Sequence, residues 1–416
     1  MEFRRVVITG LGAITPIGNT VPEYWDALCK GVNGAGNITR FDSTKYKTHI
    51  ACEVKGFDPL QYFDRKEARK LDLYTQFAIV ASDEAILDSG ITKDNTDFDN
   101  VGVVFSSGIG GINSFFEEVF AFATGDGTPR YNPFIIPKLL PDLAGGHISI
   151  KHGFRGPNFS TVSACASSAN AIIEGYNYVR YGLYPISIVG GSEAAVSPAA
   201  IAGFEAMRAM TTRNDDPMTA SRPFDADRDG FMMGEGCGCL VLEDLEHALA
   251  RGAKIYGEIV GCGLSSDAYH ITAPHPEGTG AILCMQRAMK DAGIEITDID
   301  HINTHGTSTP AGDTSEAMAI SKLFGEYAPN VALNSIKSMT GHLLGGSGAI
   351  EAIATALTLR DGIIPPTINH FNDDPNIDPN LDFVFWEARR KQMKYALSNA
   401  FGFGGHNASI IFKKYE

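Results

Sequence analysis

The sequence predicts an α/β protein with largely parallel sheets, and three observations carry that reading. Short runs rich in Val and Ile, most ending at or near Gly, recur along the 416 residues; helical patterns lie between them; and a segment from Ser163 rhymes with one from Ser338. In chain order the strand candidates are Arg5 to Gly10, Val101 to Gly108, Ile186 to Gly191, Ile255 to Gly261, Ile299 to His305 and Val331 to Ser335. They are apolar without alternation, as strands covered on both faces are. Leu71 to Leu87 shows helical Ala and Ile spacing, and Ala169 to Tyr181 places Ile172, Ile173, Tyr176 and Val179 on one face. Strands alternating with helices argue for α/β architecture.

The rhyming segments, SACASSANAIIEGYNYVRYG and SMTGHLLGGSGAIEAIATALTLRDG, each read as strand, small-residue turn and long helix, with Cys165 or His342 at the turn. They suggest an internal duplication. A boundary near Gly252 gives halves 1–252 and 253–416, and no Ser, Pro or charged linker marks it. The halves are therefore expected to pack as one body. Segments 120–145 and 365–382, rich in Pro, Gly and Asn, read as excursions over the surface or an interface.

Composition removes several function classes. The charge balance, 34 − 49 = −15, repels phosphate backbones over most of the surface, so a nucleic-acid binder is not expected. No stretch reaches the ~18 apolar residues of a membrane span. The opening MEFRRVVITG lacks a secretory pattern, and a cytoplasmic protein is the expectation. Seven scattered cysteines without a CxxC pair fit reduced thiols. The 45 glycines exceed the usual ~7% and imply many tight turns or close backbone approaches.

Four stretches carry chemistry. In TVSACASSANAI, Cys165 sits among small residues directly before a helix, where the macrodipole and unpaired amides lower a thiol pKa. Taken alone, such a cysteine reads as a small buried hydrophobe, and the other stretches reverse that reading. In NTHGTSTPAGDTSE, His305 ends a strand among hydroxyl residues, able to donate hydrogen bonds or move protons. In NSIKSMTGHLLGGSGAIEA, Lys337 and Glu351 are placed for a buried ion pair that orients His342. In SNAFGFGGHNASIIF, glycines bracket Phe401 and Phe403, and the loop amides can complete an oxyanion hole. A metal site is not expected, since the Cys and His spacings are not those of zinc ligands. GLGAITPIG and GIGGIN lack the third Gly of a dinucleotide fingerprint. Ser192 in GGSEAA half matches a nucleophile elbow but lacks its closing Gly, so a structural turn is expected.

Together with the opening RRVVITGLGAITPIG, these stretches resemble, over nearly the full chain, the β-ketoacyl-acyl carrier protein synthases, and among them the elongating enzymes of type II fatty acid synthesis. The resemblance implies a thiolase-like duplicated α-β-α-β-α sandwich acting as a homodimer without a cofactor. It implies that Cys165 takes an acyl chain from an acyl carrier protein. It further implies that His305 and His342 stabilise the enolate formed when malonyl carrier protein loses carbon dioxide, and that the amides of Cys165 and Phe403 hold the oxyanion. By the same resemblance Lys337 with Glu351 supports the second histidine, Phe403 is a gating aromatic, Ile109 shapes the end of the acyl pocket, and Thr307 and Thr309 contact the pantetheine arm.

Lys66, Arg69 and Lys70, with Arg65, cluster along one side of a predicted helix and match the family's carrier-docking residues, joined by Arg208. Two positions depart from the family: Asn170 replaces a usual His, and His406 stands where some members have Thr. A thiolase is disfavoured because no Cys follows Cys284. A condensing enzyme that uses coenzyme A primers is disfavoured by His342, where that class pairs its histidine with an Asn. The remaining alternatives are a ketosynthase of a polyketide or aryl polyene pathway, and a non-catalytic chain-length partner subunit.

Overall fold

A computed structural model describes residues 3–416. The strands of its main sheet are β1 (Val6–Ile14), β2 (Val101–Ser106), β3 (Asn158–Phe159), β4 (Ile186–Glu193), β5 (Gly236–Asp244), β6 (Gly257–Ser266), β7 (Ile299–Asn303), β8 (Ala332–Asn334), β9 (Asp382–Phe383), β10 (Tyr395–Gly402) and β11 (His406–Lys413). The helices that matter here are α1 (Leu73–Ser89), α2 (Ile112–Thr124), α3 (Leu143–His152), α4 (Ser167–Arg180), α5 (Thr279–Ala292), α6 (Pro310–Phe324) and α7 (Ser347–Asp361). Local chemistry sets their ends. The Asp72 carboxylate caps α1 by accepting from the Tyr74 N–H, and Gly90 closes the helix at φ 69°.

The strands run β9-β8-β7-β10-β11-β6-β1-β5-β4-β2-β3. Pairing from β1 outward is antiparallel to β5 and β4, then parallel to β2 and β3; from β6 outward it is antiparallel to β11 and β10, then parallel to β7 and β8. The same five-strand pattern thus occurs twice, joined by a short antiparallel contact of β1 with β6. Helices α4 and α7 pack on each other between the two sheets, α1 and α3 cover one outer face, and α5 and α6 cover the other. Five layers result, the duplicated sandwich expected above.

Residue size explains the stacking. From Ser347 to Leu359 every residue of α7 is buried, and its Gly, Ala, Ser and Thr positions let it lie between two sheets and beside α4. The glycine excess serves the outer layers in duplicate. A Cβ at Gly10 or Gly12 would meet the α1 carbonyls of Ala85 and Ala81, and one at Gly261 or Gly263 would meet the α5 carbonyls of Ala288 and Cys284.

Several expectations are corrected. The sheet is mixed, not largely parallel, because the GFGG turn folds β10 and β11 into a hairpin and because β5, whose GCGCLVLED lacks a Val/Ile run, inserts antiparallel between β1 and β4. Segment 120–145 is partly helical, holding the end of α2, a short helix Ile135–Leu139 and the start of α3. Ser192 lies inside β4, not in a turn, donating to the Tyr74 carbonyl at 2.7 Å. Among the described residues, no helix is long and apolar enough to cross a membrane.

Candidate active site

Three short turns and the β10–β11 hairpin converge on one cavity of about 380 Å³, lined by Cys165, His305, His342, Thr307, Thr309 and Phe403 among others. The first turn follows β3. Ala164 is held at φ 51°, a conformation an Ala adopts only under constraint. Ser167 supplies the constraint, its Oγ donating to the Ala164 carbonyl at 2.7 Å and accepting from the Ser163 N–H at 2.9 Å. This elbow delivers Cys165 to the cavity just ahead of α4.

The hairpin meets it from the other side. A Cβ on Gly402 would lie 2.5 Å from the Ser163 carbonyl oxygen, so only Gly lets β10 approach this closely. The approach sets Gly402 and Phe403 against the Cys165 turn, a Cβ on Gly402 also lying 3.2 Å from the Cys165 nitrogen. The expected low thiol pKa is not found: burial pushes Cys165 up to about 12, against the opposing pull of Lys337 and of the Phe403 and Cys165 amides. Desolvation dominates because the thiol lies within an apolar cluster with Leu344 and Met233.

The two histidines stand edge to face, ring centroids 5.3 Å apart and planes at 86°. His305 follows β7, where its own N–H and that of Gly306 donate to Glu316 Oε1 and Oε2, each at 2.8 Å. His342 precedes α7, its Nδ1 2.9 Å from Ser347 Oγ. Lys337 and Glu351 form the expected buried pair, each 1% exposed. The pair does not touch His342, which Ser347 orients instead; Lys337 acts through its field. Burial first, and then Lys337, holds both imidazoles well below the usual histidine range, with His342 adding to the effect on His305. Both rings are neutral at pH 7, so each offers one N–H without carrying charge. Burial raises Glu351 to about 7 against the attraction of Lys337, and raises Glu316 to about 7 as well.

Thr307 and Thr309, their hydroxyls 3.0 Å apart, line the cavity together with Arg208. Ile109 does not line it; it packs against the apolar cluster that contains Cys165 and Leu344. Asn170 donates to Ser163 Oγ at 2.5 Å, a hydrogen-bonding role within the elbow, while His406 is exposed. Lys66, Arg69 and Lys70 lie in a separate surface groove with Arg65, Arg130, Tyr131 and Phe134. The helix there is shorter than predicted, Arg65–Ala68, with Arg69 closing it and Lys70 set over the Phe134 ring. Arg208 belongs to the cavity and not to this groove.

Sequence reasoning missed Glu316, Asp313 and Ser347. Asp313 accepts from the Ser308 and Phe224 N–H groups and shapes the Thr307–Thr309 turn. One signal existed: two acidic residues three apart in the first half of a helix share a face, here turned inward onto the His305 turn. Among the described residues, no group of three or more His, Cys, Asp or Glu is placed to hold a metal.

Comparison with known proteins follows the same lines. The family model for the β-ketoacyl synthase N-terminal domain matches residues 3–248, and that for the C-terminal domain matches 256–371. The chain is 50% identical over 416 residues to a 3-oxoacyl-[acyl-carrier-protein] synthase 2 of Synechocystis sp., covering 100% of this chain and 99% of the relative. It is 51% identical over 415 residues to the protein of the same description from Staphylococcus aureus, with coverage of 100% and 99%. Among solved structures, a β-ketoacyl synthase from Burkholderia phymatum superposes with a TM-score of 0.92 at 35% identity, covering 99% of this chain and 100% of that one. A type II PKS ketosynthase in complex with its acyl-carrier protein superposes with a TM-score of 0.92 at 31% identity, each chain covered in full.

Proposed function

The chain belongs to the β-ketoacyl synthase family, and from that premise we propose how its residues divide the work. It is an acyltransferase that performs the elongating condensation of fatty acid synthesis, and acyl carrier protein is its partner. Identity near one half to relatives described as 3-oxoacyl-acyl carrier protein synthase 2 favours this over a specialised-pathway ketosynthase.

In the first half-reaction, Cys165 Sγ attacks the thioester carbon of an acyl carrier protein. The new S–C bond forms, the bond to the pantetheine sulfur breaks, and the thiol proton leaves with the pantetheine thiol. The N–H groups of Cys165 and Phe403 receive the oxyanion. In the second, malonyl carrier protein loses carbon dioxide, and the electron pair passes to an enolate whose oxygen accepts from His305 and His342. The enolate carbon attacks the acyl thioester, and the Cys165 sulfur departs and regains a proton. Neutral donors suit this step, because a charge that develops on one oxygen is met by dipoles already in place. Thr307 and Thr309 hold the pantetheine arm, Phe403 gates the acyl pocket and Ile109 shapes its end. Lys66, Arg69 and Lys70 dock the acidic carrier, with Arg208 at the cavity steering the arm. No cofactor enters, since thioester cleavage and carbon dioxide release balance the reaction.

A homodimer is supported by the free edge of β3 and by α2, whose Phe115, Val119, Phe120 and Phe122 are exposed. We place the enzyme in the cytoplasm and divide the chain near Gly252. The observation that carries the reading is two neutral, edge-to-face imidazoles that share one cavity with a buried thiol. Intact mass spectrometry after mixing with acyl carrier proteins tests it. One acyl mass is expected on the wild type and none on Cys165→Ala; an adduct on the variant contradicts the assignment.

A further inference from the structure

The duplicated architecture repeats the elbow of Cys165. Leu344 has φ 47° where Ala164 has 51°, and each opens a one-turn 3-10 segment leading into a central helix. Counting from these residues, Gly345 corresponds to Cys165. In the first half Cys165, with Phe403 just beyond β10, lines the cavity. In the second, the Gly345 N–H faces the carboxylate of Glu193, the last residue of β4, the strand that matches β10 in sheet order. A built-in carboxylate thus fills the anion position in one half that the other half leaves open.

Glu193 is fully buried and saturated with donors. Its Oε2 accepts from Gly108 N–H at 2.8 Å and Gly345 N–H at 3.0 Å, and its Oε1 from Ser107 Oγ at 2.9 Å and Ile109 N–H at 3.2 Å. Backbone contact reinforces the link, since a Cβ on Gly345 would lie 2.1 Å from the Gly108 nitrogen. The carboxylate therefore ties the segment carrying Ile109 to the turn that follows His342. Ile109 and Leu344 share the apolar cluster of Cys165, and the Ile109 N–H bond is the longest of the four.

We propose that Glu193 is a positioning residue for acyl-chain length, latching the Ile109 segment to the Leu344–Gly345 turn so that a chain reaching past Ile109 loads only when the Ile109 N–H bond yields. The proposal rests on the reading that Cys165 is acylated and that Ile109 closes the acyl pocket. Glu193→Gln keeps the size of the side chain, leaves one acceptor oxygen and turns an amide NH2 toward the Gly108 and Gly345 N–H groups or toward Ser107 Oγ and the Ile109 N–H, so that one end of the latch loses its acceptor either way. Ser107→Ala removes one donor to the carboxylate, together with the acceptor of the Gly110 N–H, and leaves the carboxylate itself in place.

The test compares the wild-type full chain with both variants, loading butanoyl and hexadecanoyl carrier proteins and following Cys165 acylation by intact mass over time. Malonyl decarboxylation is measured alongside. The hexadecanoyl-to-butanoyl rate ratio is expected to rise in Glu193→Gln by about threefold to tenfold, the range one net hydrogen bond supplies. Ser107→Ala moves the ratio the same way by less, and it decides the matter alone if Glu193→Gln does not fold. A ratio unchanged while all rates fall together marks a merely structural role and overturns the proposal. Wild type that fails to load either chain overturns the underlying functional reading instead.

Discussion

In the cavity, Cys165, His305, His342, Lys337 and Glu351 are all less than a tenth exposed, whereas Arg65, Lys66 and Arg69 of the basic groove stand open to solvent. The cavity works by fixed geometry in a buried setting: a thiol, two neutral rings edge to face, and an ion pair behind them. Removing any one piece leaves the others misplaced or unpaired. The groove works by summed charge on mobile side chains, which water and salt screen. Substitutions in the cavity should therefore be large and step-specific, and those in the groove modest and salt-dependent.

The sharpest separation comes from Cys165→Ala, expected to abolish acyl transfer while leaving thermal unfolding near wild type. His305→Ala and His342→Ala should each slow malonyl decarboxylation by about 10²–10³, the cost of one oxyanion donor, with a smaller loss in single-turnover acylation. Equal losses in both steps would dissolve the division of labour. Glu351→Ala leaves the Lys337 charge buried without a partner and should cost about 3–5 kcal/mol in urea unfolding. In the groove, reversing charge at Lys66 and Arg69 should raise the KM for carrier substrate by about tenfold at low salt and flatten its salt dependence, with kcat little changed. An unchanged KM would make the groove an ordinary solvated face.

The smallest expected effect is an absence. Because both imidazoles are held neutral well below the ordinary histidine pKa, decarboxylation should show no acidic limb near pH 6.5. Stability carries the opposite sign of information. A histidine whose folded pKa is depressed binds fewer protons folded than unfolded below pH 6.5, so stability falls as pH drops from there toward the folded values. His305→Asn should lessen that acid loss in pH-dependent unfolding.

The same contrast explains what was legible in the sequence. Cys165, His305, Lys337, His342 and Phe403 stand in stretches whose Gly and hydroxyl residues mark turns, and turn chemistry is local enough to read. The basic run at 65–70 was visible as charge, but its helix stops at Ala68, so the one-sided helical stripe did not form. The thiol pKa was misjudged because a helix terminus is local while burial among Leu344, Met233 and the rest of their apolar cluster is not. Glu316 and Glu193 were hidden for a related reason: each acts on N–H groups of a different element, across contacts that only the folded chain creates. Antiparallel β5 was missed because GCGCLVLED has the composition of a packing surface against α7, with Gly238 touching Ala349, and not of a Val-rich strand.

The most direct test of the division between thiol and histidines is a single-turnover condensation. Wild type preloaded with one octanoyl group is mixed with malonyl carrier protein labelled with carbon-13 in its free carboxyl, and product, labelled carbon dioxide and remaining adduct are followed together. One 3-oxoacyl carrier protein and one labelled carbon dioxide are expected for each adduct lost, while preloaded His342→Ala keeps its adduct and releases little label. Condensation by Cys165→Ala, or decarboxylation by His342→Ala at the wild-type rate, would contradict the account.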